Sequence, residues 1–524
     1  MIHLRTMTWL ETLRSRKLII PMLVIFIALL VQTSWVEEDA FITLRTSDNF
    51  IHGYGLRWNV DERVQTYTNP LWMFMLAGVH AIIDNPYITL ILLSIAVSAL
   101  TLFVLLTNIP KNDFGLLLAF ASLFLSKSFV DYSTSGLENP ATHLLAVCFA
   151  AYYFKVEKPL SKKSLFILSL FVGLATFNRM DTLLLYLPML IAMFLQQPTK
   201  QTLRAMLAGL SPFIAWEIFS VIYYGFPVPN TYYAKMNTGV PWDESIWQGS
   251  LYFLNSLGWD PITLTVIFSS LALTFLNKRK DESLLALGVV LYLGYIIYIG
   301  GDFMSGRFFS APLIMSVILL VRHVEDSSKL EKYIWISLVL LLGLILAPLK
   351  SFSNPLESDI VTFDNTTDIA DERFGYYRFT NLLLFSRRED LAMYPFAEYG
   401  LQVRREKTKV IVVPGIGMIG YFAGPDTHVI DELGLGDALL ARLKPANIQE
   451  WHIAHFKRKL PEGYDQTFVE GKNKIADPAL AEYYDKLALI IRGDIWSLKR
   501  WEAIWKMNTG QYDHLLEAYT NTPK

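Results

Sequence analysis

Three carboxylates in a row, Glu37, Glu38 and Asp39, directly follow an apolar run that begins near Leu18. A carboxylate in that place can take the proton of an acceptor hydroxyl, and a nearby Arg or Lys can stabilise a departing phosphate. The chemistry they suit is group transfer from a lipid phosphate. The plain alternative is a solvated acidic cap at a membrane edge. Interfacial anchors are usually basic or aromatic, however, and three acids beside Arg45 in an otherwise uncharged region point towards chemistry. Further candidates lie far apart in sequence: Glu138 in "STSGLENP", Arg179 and Asp181 in "NRMD", Asn230, Tyr233 and Lys235 in "PNTYYAK", and Asp302 and Arg307 in "GGDFMSGRFF". Each has a structural alternative. An Arg–Asp pair can simply join two helices, and a carboxylate at a helix start can serve the helix dipole. His143, about a turn into its apolar run, reads as a packed residue. Convergence of the polar segments decides between the readings.

The elements that must position these groups are membrane helices. Of 524 residues, 53% are hydrophobic and only 18% charged, whereas soluble chains carry about a quarter charged residues. Apolar stretches at 18–36, 87–107, 114–130, 138–154, 165–177, 182–195, 205–224, 258–276, 283–300, 308–321 and 333–349 make about eleven candidate spans. The run from Pro70 to Ile83, at 1.5 Å per residue, is too short to cross roughly 30 Å of hydrocarbon. If it does not cross, Lys111, the "KVEKPLSKK" loop, Lys200 with Arg204, "NKRK", and Arg322 with Lys329 all face the cytoplasm with the basic N-terminus (Arg5, Arg14, Arg16, Lys17). All the polar candidate segments then face outward, where they can converge. This reading divides the chain into a membrane domain over 1–349, with its first outer loop and interfacial helices over 37–86, and a soluble outer domain over 350–524. In the latter, "KTKVIVVPGIGMIGYF" reads as a strand, a turn and a short helix, and "THVID" as a second strand, so an α/β domain is expected.

Several function classes are excluded. With 46 basic and 48 acidic residues the chain is close to neutral, which argues against nucleic acid. The single Cys148 cannot form an internal disulfide. No metalloenzyme spacing, P-loop or G-x-S-x-G elbow occurs. "GIGMIG" matches G-x-G-x-x-G, but Gly424 and Pro425 cut the following helix short, so the glycines read as a tight packing turn rather than a dinucleotide site. The sequon at Asn365 carries no weight.

The ordered series "EEDAFITLRTSDNFIHGYGLRWNVDERVQTYTNPLW", "SGLENP", "NRMDTLLL", "PNTYYAK", "GGDFMSGRFFSAPL", "GMIGYFAG", "VIDELGLGD" and "AHFKRKLPEGY" closely resembles the membrane arabinofuranosyltransferases of the GT-C fold. The resemblance spans nearly the whole chain. It implies a multi-span α-helical membrane protein with a C-terminal extracytoplasmic α/β domain in a bacterial inner membrane. Such an enzyme takes a sugar, here arabinofuranose, from a polyprenyl-phosphate donor and passes it to a surface glycan or a protein such as pilin. It requires no metal or other cofactor. The first outer loop of these enzymes begins with an acidic pair, usually two aspartates, that supplies the catalytic carboxylate. Here the pair is Glu38 and Asp39, with Asp39 favoured as the base. The resemblance also implies that Arg45, Tyr67, Thr68 and Asn69 line the site and that Glu138, Arg179 and Asp181 shape it. Asn230, Tyr233, Lys235, Asp302 and Arg307 would serve donor or acceptor, and His455 and Lys457 would bring the C-terminal domain to the acceptor. The rival classes are a lipid or solute transporter, which would need ionisable groups at the bilayer midplane, and a noncatalytic membrane assembly factor.

Overall fold

A computed structural model describes residues 17–236, 238–353, 363–364, 367–385, 394–448 and 451–521. Arg5, Arg14, Arg16 and Asn365 lie outside these residues. The chain forms two compact units. One comprises Met1–Glu37, Tyr87–Pro212 and Trp242–Leu391, the other Glu38–Pro86, Phe213–Pro241 and Ala392–Lys524.

The first unit is a bundle of apolar helices. Pro86–Asn108, Lys280–Tyr298 and Arg307–Glu325 are each long and apolar enough to cross a membrane, and the number rises to five if two bent helix pairs each count as one span. The other apolar stretches also fold as helices but are shorter: Ile19–Thr33 has 15 residues, Asp113–Leu125 has 13, and Leu183–Gln196 has 14. Apolar runs reveal where helices lie. They do not reveal where a Pro, a Gly or a polar turn ends one, so about eleven spans exceeds what helix length alone supports. Packing is close where side chains are absent. A Cβ on Gly173 would meet the carbonyl of Gly209 at 2.9 Å, and one on Gly288 would strike the carbonyl of Leu185, the small-residue approach that draws membrane helices together.

Polarity divides the bundle end to end. Helix Asn139–Lys155 runs from Glu138 to Lys155, helix Lys162–Asn178 from Lys162 to Arg179, and helix Ser310–Glu325 from just past Arg307 to Arg322 and Glu325. At the Lys155 end the basic loops are tied together. Lys111 and Arg279 both pair with Asp326 at 3.1 Å, Arg322 pairs with Glu282 at 3.0 Å, and Lys158 pairs with Asp281. The Glu138 end holds the candidate groups, so the segregation read from loop charges is present within this unit.

The second unit contains the only parallel strand pair among the described residues, Val410–Val413 with His428–Asp431, in the register Val413↔Asp431. Helix Gly417–Ala423 lies between them in sequence. The strand, turn, short helix and strand expected from "KTKVIVVPGIGMIGYF" and "THVID" are therefore all formed. One core packs Ile42, Trp58, Val403, Ile411, Ile419 and Val429 together, so the first outer loop and the C-terminal segment share an interior. A second core joins Val64, Phe226, Ile430, Leu480, Leu487 and Ile504. The run starting at Pro70 forms helix Pro70–His80 of 11 residues, roughly 16 Å long. One of the interfacial helices expected over 37–86 is helix Ala40–Ile51. It starts at Ala40, so Glu38 precedes it, and Arg45 is buried because remote segments of the same unit supply its acceptors.

Candidate functional site

In the first unit five of the expected residues meet. Arg179 is the C-cap of helix Lys162–Asn178, in extended backbone that turns its side chain out of the helix line. Its Nε and Nη2 donate to Asp181 at 2.9 and 2.8 Å, and its Nη1 donates to Glu138 at 2.6 Å. Glu138 also accepts from Arg307 Nη2 at 3.2 Å, and Arg307 Nη1 lies 3.5 Å from Asp302. One carboxylate thus serves two guanidiniums. The carboxylates lie deepest, Glu138 being 1% exposed, whereas the Arg179 and Arg307 side chains keep 14% and 13% of their surface. Phe308 stacks under Arg179 at 4.5 Å. Fixed, partly open guanidiniums of this kind suit a phosphate, which they can hold with paired donors.

The Asp302–Arg307 loop is itself held. Ala370 donates to Phe303 and accepts from Ser305, at 2.7 and 2.9 Å, and Gly306 takes a positive φ of 78° that favours glycine. Sequence reasoning missed the knot beneath. Buried Lys127 pairs with Asp131 and, at 2.8 Å, with Asp371, while Arg373 pairs with Asp131 at 2.8 Å. The signal was a lysine in an apolar run with an acid four residues on, at helical spacing. His143 packs against Phe129, as expected of a core residue.

The second unit holds the acidic pair. Asp39 is half-buried at the start of helix Ala40–Ile51, while Glu38 is buried and its Oε1 accepts from the Met418 amide at 3.0 Å. The glycines of "GIGMIG" explain this fit. A Cβ on Gly417 would clash with the Glu38 carbonyl, and one on Gly420 would stand 2.9 Å from Arg45 Nη1 and 2.7 Å from Trp58. The turn packs, as expected, but what it packs against is the acidic loop. Replacing Gly417 with Ala should push Glu38 off the Met418 amide, lowering the thermal midpoint of the whole protein together with its activity. A variant with unchanged melting would contradict that fit.

Burial, then the neighbouring Asp39, raises the Glu38 carboxyl to about 8 against the pull of the Met418 and Gly417 amides. Burial likewise lifts Asp431 to about 7 and Asp437 to about 6. Between the ordinary and the raised value, the folded state binds more protons than the unfolded chain, so stability falls as pH rises through that window. Asp61 opposes this. Bonded to His428 and beside Arg492, it is lowered to about 2, and its contribution is lost only in acid. The thermal midpoint should therefore fall from about pH 5 to about pH 8, and Glu38→Gln should flatten the slope. A slope unchanged by Glu38→Gln would contradict the assignment.

The other expected residues of this unit fall into two kinds. Arg45 is fully engaged, donating to Trp58, Gly420, Asn59 and Thr427 and stacking on Trp58 at 4.4 Å. Burial pulls its guanidinium down to about 9. Tyr67 is buried on Tyr224, and Asn69 accepts from Thr43. The Asn230 amide donates to the carbonyls of Gly434, Leu435 and Asp437, and Tyr233 packs beneath Arg442. These groups shape the loops. Thr68, Lys235, His455 and Lys457 are exposed, and Lys457 pairs with Glu432 at 3.2 Å. Arg458 donates to the carbonyls of Leu433 and Ala234, which fixes "AHFKRK" and "PNTYYAK" to the loop after Asp431. No group of three metal-ligating side chains occurs among the described residues.

Residues 68–224 match the family model for dolichyl-phosphate-mannose-protein mannosyltransferase. The terminal β-(1→2)-arabinofuranosyltransferase of Mycobacterium tuberculosis is 24% identical over 520 residues, covering 82% of both chains. Its counterpart in Corynebacterium glutamicum is 26% identical over 66% of this chain and 56% of its own. Among solved structures, ArnT from Cupriavidus metallidurans bound to undecaprenyl phosphate is similar at 12% identity and a TM-score of 0.48, over 80% of this chain and 87% of that one. The resemblance to terminal arabinofuranosyltransferases implied by the motifs is borne out, and so is the class of enzyme, a glycosyltransferase.

Proposed function

We propose that this chain is a multi-span membrane enzyme of the GT-C fold that transfers a sugar from a polyprenyl-phosphate donor to an acceptor on the extracytoplasmic face. The proposed sugar is arabinofuranose and the proposed acceptor a surface glycan or pilin. The observation that carries the reading is the pair of guanidiniums, Arg179 and Arg307, fixed on one buried carboxylate, their side chains 14% and 13% exposed. Such a pair answers the charge of a leaving phosphate. The lipid-phosphate donor in the name of the matching family model, and the extent of similarity to the arabinofuranosyltransferases, support the same reading.

In this mechanism Asp39 accepts the proton of the acceptor hydroxyl as its oxygen attacks the anomeric carbon. The bond from that carbon to the phosphate oxygen breaks, and the polyprenyl phosphate leaves with the electron pair. Glu38 keeps Asp39 in place through its bond to Met418. The proposed topology has about eleven spans within 1–349, a cytoplasmic N-terminus, and 350–524 outside the membrane. Lys235, His455 and Lys457, exposed and tied to the same loops, are assigned to the acceptor side. The charge is carried by side chains, and no metal is invoked.

The acceptor is identified by mass spectrometry of surface glycans and pilins from cells with and without the gene. Loss of a pentose from one of them is the expected result. Identical glycans and pilins from both strains would overturn the assignment of sugar and acceptor.

A further inference from the structure

Three large apolar side chains stand out of the second unit close together in sequence. Trp496 is 72% exposed, Leu498 85% and Trp505 67%. Leu498 and Trp505 lie seven residues apart on helix Leu498–Asn508 and so share its outer face, while Ala503, Ile504 and Met507 turn inward to the core. Single exposed hydrophobics are ordinary, but two tryptophans and a leucine within ten residues are not.

The anchoring of this helix indicates what covers them. Buried Arg500 donates to the carbonyls of Ile222 and Tyr223 at 2.9 Å each, Asn508 donates to Gly225 at 2.8 Å, and Arg63 donates to Tyr223 at 3.1 Å. A Cβ on Gly225, at a φ of 87°, would run into Ile490 and stand 3.2 Å from Ile504. The Ile222 and Tyr223 carbonyls are the last of helix Ser211–Tyr223, an apolar helix that exposes Ile218 and meets the hydropathy of a span when joined to Lys200–Gly209 across a 66° bend. Helix Leu498–Asn508 is thus seated on the end of this apolar helix, and in the proposed topology that end meets the headgroup layer, where Trp side chains collect because their rings are apolar and their N–H groups polar. Exposed Lys499 borders the patch and can reach headgroup phosphates while its stem stays apolar, whereas Lys506 pairs with Glu502 at 2.6 Å.

We infer that Trp496, Leu498 and Trp505 insert into the lipid headgroup layer and fasten the C-terminal segment to the membrane surface. The inference rests on the proposed membrane topology and not on the sugar chemistry. The full-length protein carrying Cys148→Ser receives a bimane label at Leu498→Cys or Trp505→Cys. It is then reconstituted in phosphatidylethanolamine and phosphatidylglycerol vesicles containing doxyl-labelled phosphatidylcholine. A label at Ile218→Cys reports the lipid-embedded limit. The expected result is strong quenching by the lipid spin label and protection from iodide at positions 498 and 505. Full iodide quenching without lipid quenching overturns the inference. Protection from both also overturns it, since another protein surface then covers the patch. Sugar transfer measured on the same samples reports separately on the enzymatic reading.

Discussion

Asp39→Asn lowers sugar transfer by about 10²- to 10⁴-fold, the usual contribution of a positioned general base, while Glu38→Gln costs less and leaves a pH-dependent remainder. The difference follows from where each carboxyl sits. Glu38 is buried, accepts the Met418 amide at 3.0 Å and has its carboxyl raised to about 8, so near neutral pH it largely keeps its proton. In the proposed mechanism Asp39 takes the acceptor's proton and Glu38 holds the loop. Gln at position 38 retains an acceptor for Met418, so the loop keeps its shape. If Glu38→Gln abolished transfer while Asp39→Asn left it intact, the roles would be reversed.

Glu138→Ala should cost the fold about 3 kcal/mol, the low end for breaking a buried ion pair, because Arg179 keeps Asp181 and Arg307 keeps Asp302. The residue is 1% exposed and its carboxylate receives Arg179 and Arg307 together. Removing it leaves two partly buried cations with one contact fewer each. Glu138→Gln keeps one acceptor oxygen and should be milder. Thermal melts of both variants in the same detergent check this, and an unchanged midpoint for Glu138→Ala would contradict the central place given to that carboxylate. Arg179→Lys should also weaken donor binding, since a single ammonium cannot reproduce the two-point contact to Asp181.

The ionisable residues that meet around Glu138 were legible in the sequence because charge is conspicuous in apolar surroundings. Glu138, Arg179, Asp181, Asp302 and Arg307 come from three separate segments, yet each was singled out by being ionisable beside an apolar run. The fates of Arg45 and Asn230 were not legible. Their acceptors, Gly420 and Thr427 for the one and Gly434 to Asp437 for the other, are hundreds of residues away, and only folding shows that the side chains are consumed there. The glycines of "GIGMIG" were readable as a packing turn because the helix they open is cut short. Their approach to Glu38 and Arg45 needed the third dimension. Hydrophobic runs placed the helices well, but a run does not record where a helix stops, so helix length alone supports fewer spans than the runs suggest.

The most direct measurement uses the purified full-length protein in lipid nanodiscs with polyprenyl-phosphate arabinofuranose and a panel of glycan and pilin acceptors. Release of polyprenyl phosphate and gain of a pentose on the acceptor are followed together by mass spectrometry. The account predicts that both appear with the wild-type chain and that both are lost with Asp39→Asn. Donor that stays intact with every acceptor, or that crosses a vesicle bilayer unchanged when the protein is present, would contradict it.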